Sequence, residues 1–353
     1  MPAEKHPSEL DFEELPKTPE EIPLERHGSL LLLAARLSMT ILFSRPNDVR
    51  VPIYPDLAVI FSNFIGIPNT SDVTTPQQPQ ALQDALLAIT VTSVHAKIEE
   101  PADDQQYTNF VLSLTACTCQ QSYNSLRRIP STVARSHPSE MARFKLIRRI
   151  LEKEELLYAR ESAIGWLKDE ILGTVGLDAE KKDISLHSSI FVDPHHFSVL
   201  FPLLFNPAEL FALDLSSGVV VPWLRFSQTL TPPIHAALSL YYVLLCSPKL
   251  RDQLELGKTY LFFRNKFLTP LKSLCHTFEA DLTENGGDGH IESGVGEDMC
   301  QMGMARSVGL LYHVIEQIEE RLTDIFEHDD ASIQEPSADD IARVAEIRAA
   351  TAV

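Results

Sequence analysis

The side chains most able to do chemistry in this sequence are a few histidines and cysteines, and their spacing decides what they can do. His195 and His196 follow Asp193, with His187 a little earlier, and imidazole and carboxylate groups are common metal ligands. Adjacent histidines point in different directions on a helix, however, and no partner follows at the i,i+4 spacing that would complete a site. The pattern therefore favours a capped helix start over a metal centre.

Cys117 and Cys119 are the candidate redox-sensitive residues. Positions two apart on a helix lie about 200° apart around its axis, and the sequence lacks the second cysteine pair that a zinc site needs. One interpretation is that both are small buried apolar residues, and Cys275, followed by His276, is interpreted in the same way. In the alternative, basic residues shortly after Cys119 lower a thiol pKa, provided that the fold brings them close.

Glycines between Gly286 and Gly296 superficially resemble a phosphate-binding turn. A dinucleotide site needs a preceding β-strand and a helix N-terminus aimed at the phosphate, whereas acidic residues surround these glycines. No nucleophile elbow, zinc-protease motif, P-loop or paired-carboxylate spacing occurs elsewhere in the sequence. We therefore predict a protein without enzymatic activity, cofactor or metal, and keep an enzyme with an unrecognised site as an alternative.

Charge is distributed unevenly along the 353 residues, which carry a formal net charge of -19. Residues 279–340 contain 17 acidic and two basic side chains, so this stretch accounts for -15 of the total. Residues 127–153 contain eight basic and two acidic side chains. A strongly acidic chain repels a phosphate backbone, so we predict protein partners, with no direct contact to nucleic acid.

The basic stretch supplies the candidate partner-binding residues Arg143, Lys145, Arg148 and Arg149. We place Lys145, Arg148 and Arg149, with Glu152, on the helix face opposite apolar residues such as Phe144. Such a face has three interpretations: a solvated surface, a docking site for an acidic partner, or a docking site for the chain's own acidic C-terminal tail. In the last case the intramolecular pairing would mask the site.

Apolar residues spaced three and four apart predict helices through most of the chain. Helices over 81–96 and 104–123 are expected to pair as an antiparallel hairpin. The strongest pattern covers 139–172, with Ser139 as the N-cap and a bend near 152–155. Only 191–192 and 218–221 look extended, so the predicted fold is all-α, an irregular HEAT/ARM-like α-solenoid of antiparallel helix pairs.

Composition sets the predicted boundaries. Residues 1–26 are rich in Glu and Pro and predict a flexible acidic arm, followed by a helical-repeat domain over 27–328. Within that domain, 283–298 is expected to be a mobile acidic loop, and 329–353 an acidic tail that has room for a short terminal helix. We identify no signal peptide, membrane span or disulfide framework, which favours a cytoplasmic location with the nucleus as a second one.

Several segments carry a family resemblance. Residues 158–167, with the sequence YARESAIGWL, resemble the second helix of a HEAT-type repeat. Together with the segments 108–114, 143–147, 163–170 and 261–265, they make the chain similar to the fungal YAP-binding and glomulin-like family over about residues 27–328.

The resemblance implies an irregular helical scaffold that has no enzymatic activity of its own. It implies a bZIP transcription factor as partner in the oxidative-stress response or, as the alternative, a cullin-RING ubiquitin ligase subunit that the scaffold masks. The family has no compact motif from which residue roles could be transferred, so the candidate residues above rest on the sequence pattern alone.

Overall fold

The computed structural model describes residues 26–43, 51–65, 79–94, 100–118, 126–180, 189–326 and 337–352. Within these ranges the chain is helical or in turns and contains no β-strand. The predicted arm before Arg26, most of the polar loop at 69–80, Cys119, His187 and the tail residues 329–336 lie outside the described residues.

Eighteen α-helices occur in the described part of the chain. They are α1 (Arg26–Leu42), α2 (Ala58–Phe64), α3 (Gln80–Val94), α4 (Asp104–Thr118), α5 (Arg128–Ser136), α6 (Glu140–Glu152), α7 (Leu157–Glu180), α8 (Pro194–Leu204), α9 (Pro207–Phe211), α10 (Val220–Arg225), α11 (Thr231–Cys246), α12 (Pro248–Gln253), α13 (Leu256–Phe262), α14 (Thr269–Ala280), α15 (His290–Val295), α16 (Glu297–Met304), α17 (Leu310–Phe326) and α18 (Ala338–Ala350). The chain is therefore all-α, as predicted.

The helix pair α6 and α7 forms where the sequence predicts it. The Ser139 hydroxyl caps α6 by accepting a hydrogen bond from the backbone N–H of Ala142 at 3.3 Å. A 3₁₀ turn over Glu154–Leu156 produces the predicted bend, and α7 then packs against α6. The apolar stripe of α6 is buried, with Phe144 fully enclosed. Capping and periodicity thus specify this part of the fold locally.

Packing in the N-terminal part differs from the predicted hairpin of α3 and α4. The main partner of α3 is α1, and the main partner of α4 is α2. Eleven residues of α4 are buried, because α2, α5 and α7 enclose the helix from several sides. A helix that is apolar nearly all round does not specify one neighbour by its periodicity, which is why the predicted pairing is wrong.

Three long helices contain a π-helical segment, at Phe226–Leu230, Phe263–Leu268 and Ala305–Gly309. In the first, Pro232 follows closely, and a proline lacks the N–H of a regular helix and clashes with the preceding turn. The hydroxyl of Thr231 donates a hydrogen bond to the carbonyl of Phe226 at 2.9 Å, which satisfies a carbonyl at this irregularity. The runs predicted as extended are a 3₁₀ turn at Ile190–Val192 and a turn leading into α10.

Successive helices pack into a solenoid-like array. α6 contacts α8, α7 contacts α11, and α11 and α14 both contact α17. Aromatic rings join α8 to its neighbours around Phe205, which is fully buried. The continuous helix Val220–Cys246 is long and apolar enough to cross a membrane by length and composition alone, but half of its apolar window is buried inside the protein, as in a core helix.

The segment 283–298, predicted as a loop, contains a 3₁₀ turn, α15 and the start of α16. The carboxylate of Asp281 accepts a hydrogen bond from the backbone N–H of Ile291 at 2.8 Å, and the Ile291 side chain is fully buried. A Cβ on Gly287 would lie 2.1 Å from the carbonyl oxygen of Ala280, so only glycine fits there. The buried side chain of Ile291 and the carboxylate of Asp281 therefore order residues 283–298, whose glycine content and charge predict a loop.

Candidate functional site: a surface covered by the terminal helix

The terminal helix α18 has one narrow contact stripe. The hydroxyl of Ser337 caps it by accepting a hydrogen bond from the backbone N–H of Asp340 at 3.1 Å. The residues Asp340, Val344, Ile347 and Thr351 follow at steps of four, three and four, which places them on one side of a helix. Val344 and Ile347 are half-buried against the core and Thr351 is fully buried, whereas most other positions of α18 are exposed.

This stripe lies on a surface that we call the docking face. Its main element is α8, on which α18 packs. Arg148 of α6 lies at one end, and α13 borders the other end. The docking face consists of Arg148, Pro194, His195, Ser198, Glu255, Lys258 and Thr259. Within it, the Nζ of Lys258 lies 2.7 Å from a carboxylate oxygen of Glu255. The helices α6, α8 and α13 are far apart in sequence and together form one binding surface for a helix.

At the N-terminal end of α18, a carboxylate meets imidazole. The Nε2 of His195 lies 3.1 Å from the Oδ1 of Asp340. The pKa of the Asp340 carboxyl is held below its usual value, first by the hydrogen bond to His195, then by the hydrogen bonds to Ser337, and further by the charge of Lys258. The anionic form of Asp340 is thus the form that the docking face favours.

At the C-terminal end, Arg148 anchors the last turn of α18. Its Nη1 donates a hydrogen bond to the carbonyl oxygen of Arg348 at 2.6 Å and another to the hydroxyl of Thr351. The last carbonyls of a helix have no partner within the helix and carry the negative end of its dipole, so a guanidinium group stabilises them. The carboxylate of Glu152 lies 3.7 Å from the Nε of Arg148 and offsets part of its charge.

The fit between α18 and the docking face is incomplete. A pocket of about 370 Å³ lies between them, bordered by Ser198 and Ala345 among others. The Nε of Arg148 and the Nδ1 of His195 are buried with no hydrogen-bond partner among the described residues. Unfilled volume and unsatisfied polar atoms both weaken a contact, so α18 is held less firmly than a core helix.

The other predicted partner-binding residues have different surroundings. Arg143 forms a two-pronged ion pair with Glu170, with contacts of 2.9 and 3.1 Å, and also donates to the backbone of His137. Lys145 and Arg149 are half-buried and make no ion pair with any residue that the structure describes. Of the four residues, Arg143 is held in a structural ion pair, Arg148 anchors α18, and Lys145 and Arg149 are available to a partner.

The expectation that Arg148 faces solvent opposite Phe144 is wrong. Residues four apart are neighbours on a helix surface, so Arg148 shares the side of Phe144, and its side chain is only 4% exposed. The alternative in which the chain's own tail covers the basic stretch agrees with the contact between Arg148 and α18. The contact uses the carbonyls at the end of the helix, whereas the sequence suggested the acidic side chains.

The cysteines that the structure describes offer little reactivity in the core. Cys117 is fully buried in α4, and burial raises the pKa of Cys275 to about 12. A buried thiol with a raised pKa holds little thiolate, which is the reactive form. Because Cys119 lies outside the described residues, the redox role of the Cys117 and Cys119 pair stays a prediction.

Asp193 caps α8, as predicted. Its carboxylate accepts a hydrogen bond from the backbone N–H of His196 at 2.9 Å and lies 2.7 Å from the Nδ1 of the same residue. In the part of the chain that the structure describes, no group of three or more His, Cys, Asp or Glu side chains is placed to hold a metal ion. The acid and the two histidines thus serve the start of the helix and, through His195, the contact with α18.

This cap predicts a specific pH dependence of stability. Burial alone would raise the pKa of Asp193, but the hydrogen bonds and charge of His196 outweigh it and hold the pKa below its ordinary value. A carboxyl with a depressed pKa stabilises the fold above its unfolded value, near pH 4, and loses that contribution as the pH falls through the folded value. We expect Asp193→Ser, which keeps a capping oxygen, to flatten the fall in melting temperature between pH 5 and pH 3. An equally steep fall in both proteins would contradict this assignment.

A second pocket, of about 350 Å³, lies between α7 and the start of α11. Its described lining includes Arg127, Glu161, Ser162 and Thr229. Hydroxyl and carboxylate groups can act as nucleophiles and bases, so the enzyme alternative stays a hypothesis.

Sequence reasoning missed the stripe on α18 and its contacts His195 and Lys258. Two signals for the helix were present: Ser337 followed three residues later by Asp340, which is the pattern of an N-terminal capping box, and the 4-3-4 spacing of the stripe. Nothing local indicates where such a helix docks, because its anchor Arg148 lies 200 residues from Arg348.

Comparison with known proteins gives one match. A family model described as an uncharacterised protein family, YAP/Alf4/glomulin, matches residues 1–314. No curated protein matches the chain, and no solved structure matches it. The matched residues contain the whole docking face and end before α18. With most of its length matched, this chain belongs to the YAP/Alf4/glomulin family.

Proposed function

We propose that this protein is a non-enzymatic scaffold that binds other proteins through the docking face and the adjacent cations Lys145 and Arg149. The observation that supports this proposal best is that α6, α8 and α13 form a binding surface that α18 occupies. A surface that accommodates one amphipathic helix has the shape needed for another. Membership of the YAP/Alf4/glomulin family is consistent with a protein-binding role.

The partner that we propose is a bZIP transcription factor in the oxidative-stress response, in a cytoplasmic and nuclear protein. The alternative is a regulator that masks a cullin-RING ubiquitin ligase subunit. Both versions follow from the family resemblance; the matching family description names YAP and glomulin but no partner or process. The net positive charge near Lys145 suits either kind of partner if it presents an acidic helix.

Affinity purification tests this proposal. The tagged chain is isolated from its native cells with and without brief peroxide treatment, and the proteins that accompany it are identified by mass spectrometry. Enrichment of a bZIP factor supports the first version and enrichment of a cullin-RING subunit the second, in each case after the purified pair binds directly. If neither is enriched in either condition, these versions of the proposal fail.

Charge reversal then tests the surface. We expect Lys145→Glu with Arg149→Glu to weaken binding of the captured partner about 10-fold, since interfacial charges mainly change association rate and affinity by such factors. The same change in charge at Lys266 and Arg306, two exposed cations on other helices, serves as the matched control. Equal affinities for the two double variants would remove the basic residues of α6 from the interface.

A further inference from the structure

We propose that α18 is a built-in competitor that occupies the docking face, and that the external ligand of this face is an amphipathic helix with a carboxylate in its first turn and a larger apolar residue at the position of Ala345. This inference rests on the proposed function, because it names the kind of partner that the docking face accepts. It also makes partner binding depend on release of α18.

The first support is how little of α18 is held. The helix contacts the rest of the protein along one side, through the side chains of Asp340, Val344 and Ile347 and the carbonyl of Arg348, with Thr351 just after its end. The helices beneath it bury residues on several sides; Phe144, Val199 and Leu256 are each at most 2% exposed. A helix attached by one stripe is the kind of element that opens without unfolding the rest.

The second support is the mismatch at the contact itself. The Nε of Arg148 lies in a side chain that is 4% exposed, yet it makes no hydrogen bond to any described residue, and its nearest carboxylate, that of Glu152, is 3.7 Å away. The Nδ1 of His195 is also buried without a hydrogen bond, 3.7 Å from the Oδ1 of Asp193. The pocket of about 370 Å³ adjoins Ala345, where a larger side chain would have room. A helix with a Leu or Phe at that position and one more acceptor near Arg148 would fit better than α18 does.

The third support is the order of charges on the docking face. His195 lies at the end where the first turn of the occupant begins, together with Lys258, which is paired with Glu255 at 2.7 Å. Arg148 lies at the end where the last carbonyls of the occupant emerge. The face therefore orients an occupant that has a carboxylate in its first turn and a carbonyl within reach of Arg148. Asp340 and Arg348 supply these groups in α18, which lies outside the family match while the docking face lies inside it.

The experiment uses the full chain and a fluorescent synthetic peptide of residues 337–352. In the release variant, Val344→Asp and Ile347→Asp place two charges on the contact stripe of α18. In the matched control, Ala342→Asp and Ala349→Asp place them on its exposed side. We expect the peptide to bind the release variant at least about 10-fold more tightly than the original chain or the control, because an internal competitor lowers the apparent affinity by the fraction of open molecules.

Backbone amide exchange over 338–350 is measured in the same samples. We expect faster exchange in the release variant alone, and we expect a peptide with Ala345→Leu to bind that variant more tightly than the original peptide. The proposal is overturned by unchanged exchange in the release variant, by equal peptide affinity for all three chains, or by no peptide binding to a chain whose α18 exchanges freely. None of these results decides whether a bZIP factor or a cullin-RING subunit co-purifies with the chain. Conversely, the absence of both partners from the purified material does not change the outcome of the peptide experiment.

Discussion

Reversing the charge at Arg148 is expected to release α18 from the docking face. Arg148→Glu removes the donor to the carbonyl of Arg348 and places a carboxylate beside Glu152. Breaking a buried, hydrogen-bonded charged contact costs about 3 kcal/mol or more, and each 1.4 kcal/mol is a factor of ten in an equilibrium. Since opening α18 relieves this penalty, we expect amide exchange over 338–350 to accelerate by about 100-fold while exchange in α6 and α8 changes little.

The neighbouring residue provides the control for this prediction. Arg149→Glu makes the same change in charge one residue further along α6, at a half-buried position without a described ion pair. It is expected to leave exchange in α18 within a factor of about three, because charges of this kind contribute less than 1 kcal/mol. Similar exchange in the two variants would show that Arg148 does not anchor the helix.

The largest loss of global stability is expected for Phe205→Ala. The ring of Phe205 is fully buried, and its centroid lies 4.8 Å from that of Phe263, 5.4 Å from that of Phe267 and 5.0 Å from that of Phe201. The ring centroid of Tyr241 in α11 lies 5.5 Å away as well, so truncation leaves a cavity between α8, α11 and the helix that contains Phe263 and Phe267. Replacing a buried phenylalanine by alanine typically costs about 3 to 5 kcal/mol, which chemical denaturation would measure.

Phe211→Ala is the matched control, because the same substitution is made at a side chain that is 71% exposed. Substitutions at exposed positions away from caps and networks usually change the free energy of unfolding by less than about 0.5 kcal/mol. A cost below 1 kcal/mol for Phe205→Ala would mean that this aromatic cluster does not form the centre of the fold.

The parts of the fold that local physics determines could be predicted from the sequence. Ser139 caps α6 because a hydroxyl accepts a bond from an orphan N–H, and Asp193 does the same for α8. The all-α class follows from apolar spacing over most of the chain. The bend after Glu152 is visible in the run of charged residues that interrupts the apolar stripe.

Predictions failed where the outcome depends on distant contacts. Whether α3 pairs with α4 or with α1 depends on which of several apolar sides meets which neighbour. The ordered turn after Asp281 depends on one carboxylate reaching Ile291, ten residues later. The assignment of Arg148 to a solvent face failed for a local reason, since a residue four positions after Phe144 belongs to the same side of the helix.

The candidate site was only partly accessible to sequence reasoning. The basic stretch predicts a binding surface on α6, and docking of the chain's own tail is one of its three interpretations. The sequence could not show that His195 and Lys258 complete the surface, since they join Arg148 only in the folded chain. It also could not show that Arg143 is already paired with Glu170 across two helices.

The most direct test of the central claim, that another protein binds at the docking face, is site-specific photo-crosslinking in the native cells. A photoreactive amino acid is placed at Lys258 in the Val344→Asp and Ile347→Asp chain, and, in a parallel sample, at Val221, which is 75% exposed on α10. We predict that light produces a covalent adduct with a second protein from position 258 and none from position 221. No adduct from position 258, or equal adducts from both positions, would contradict the claim.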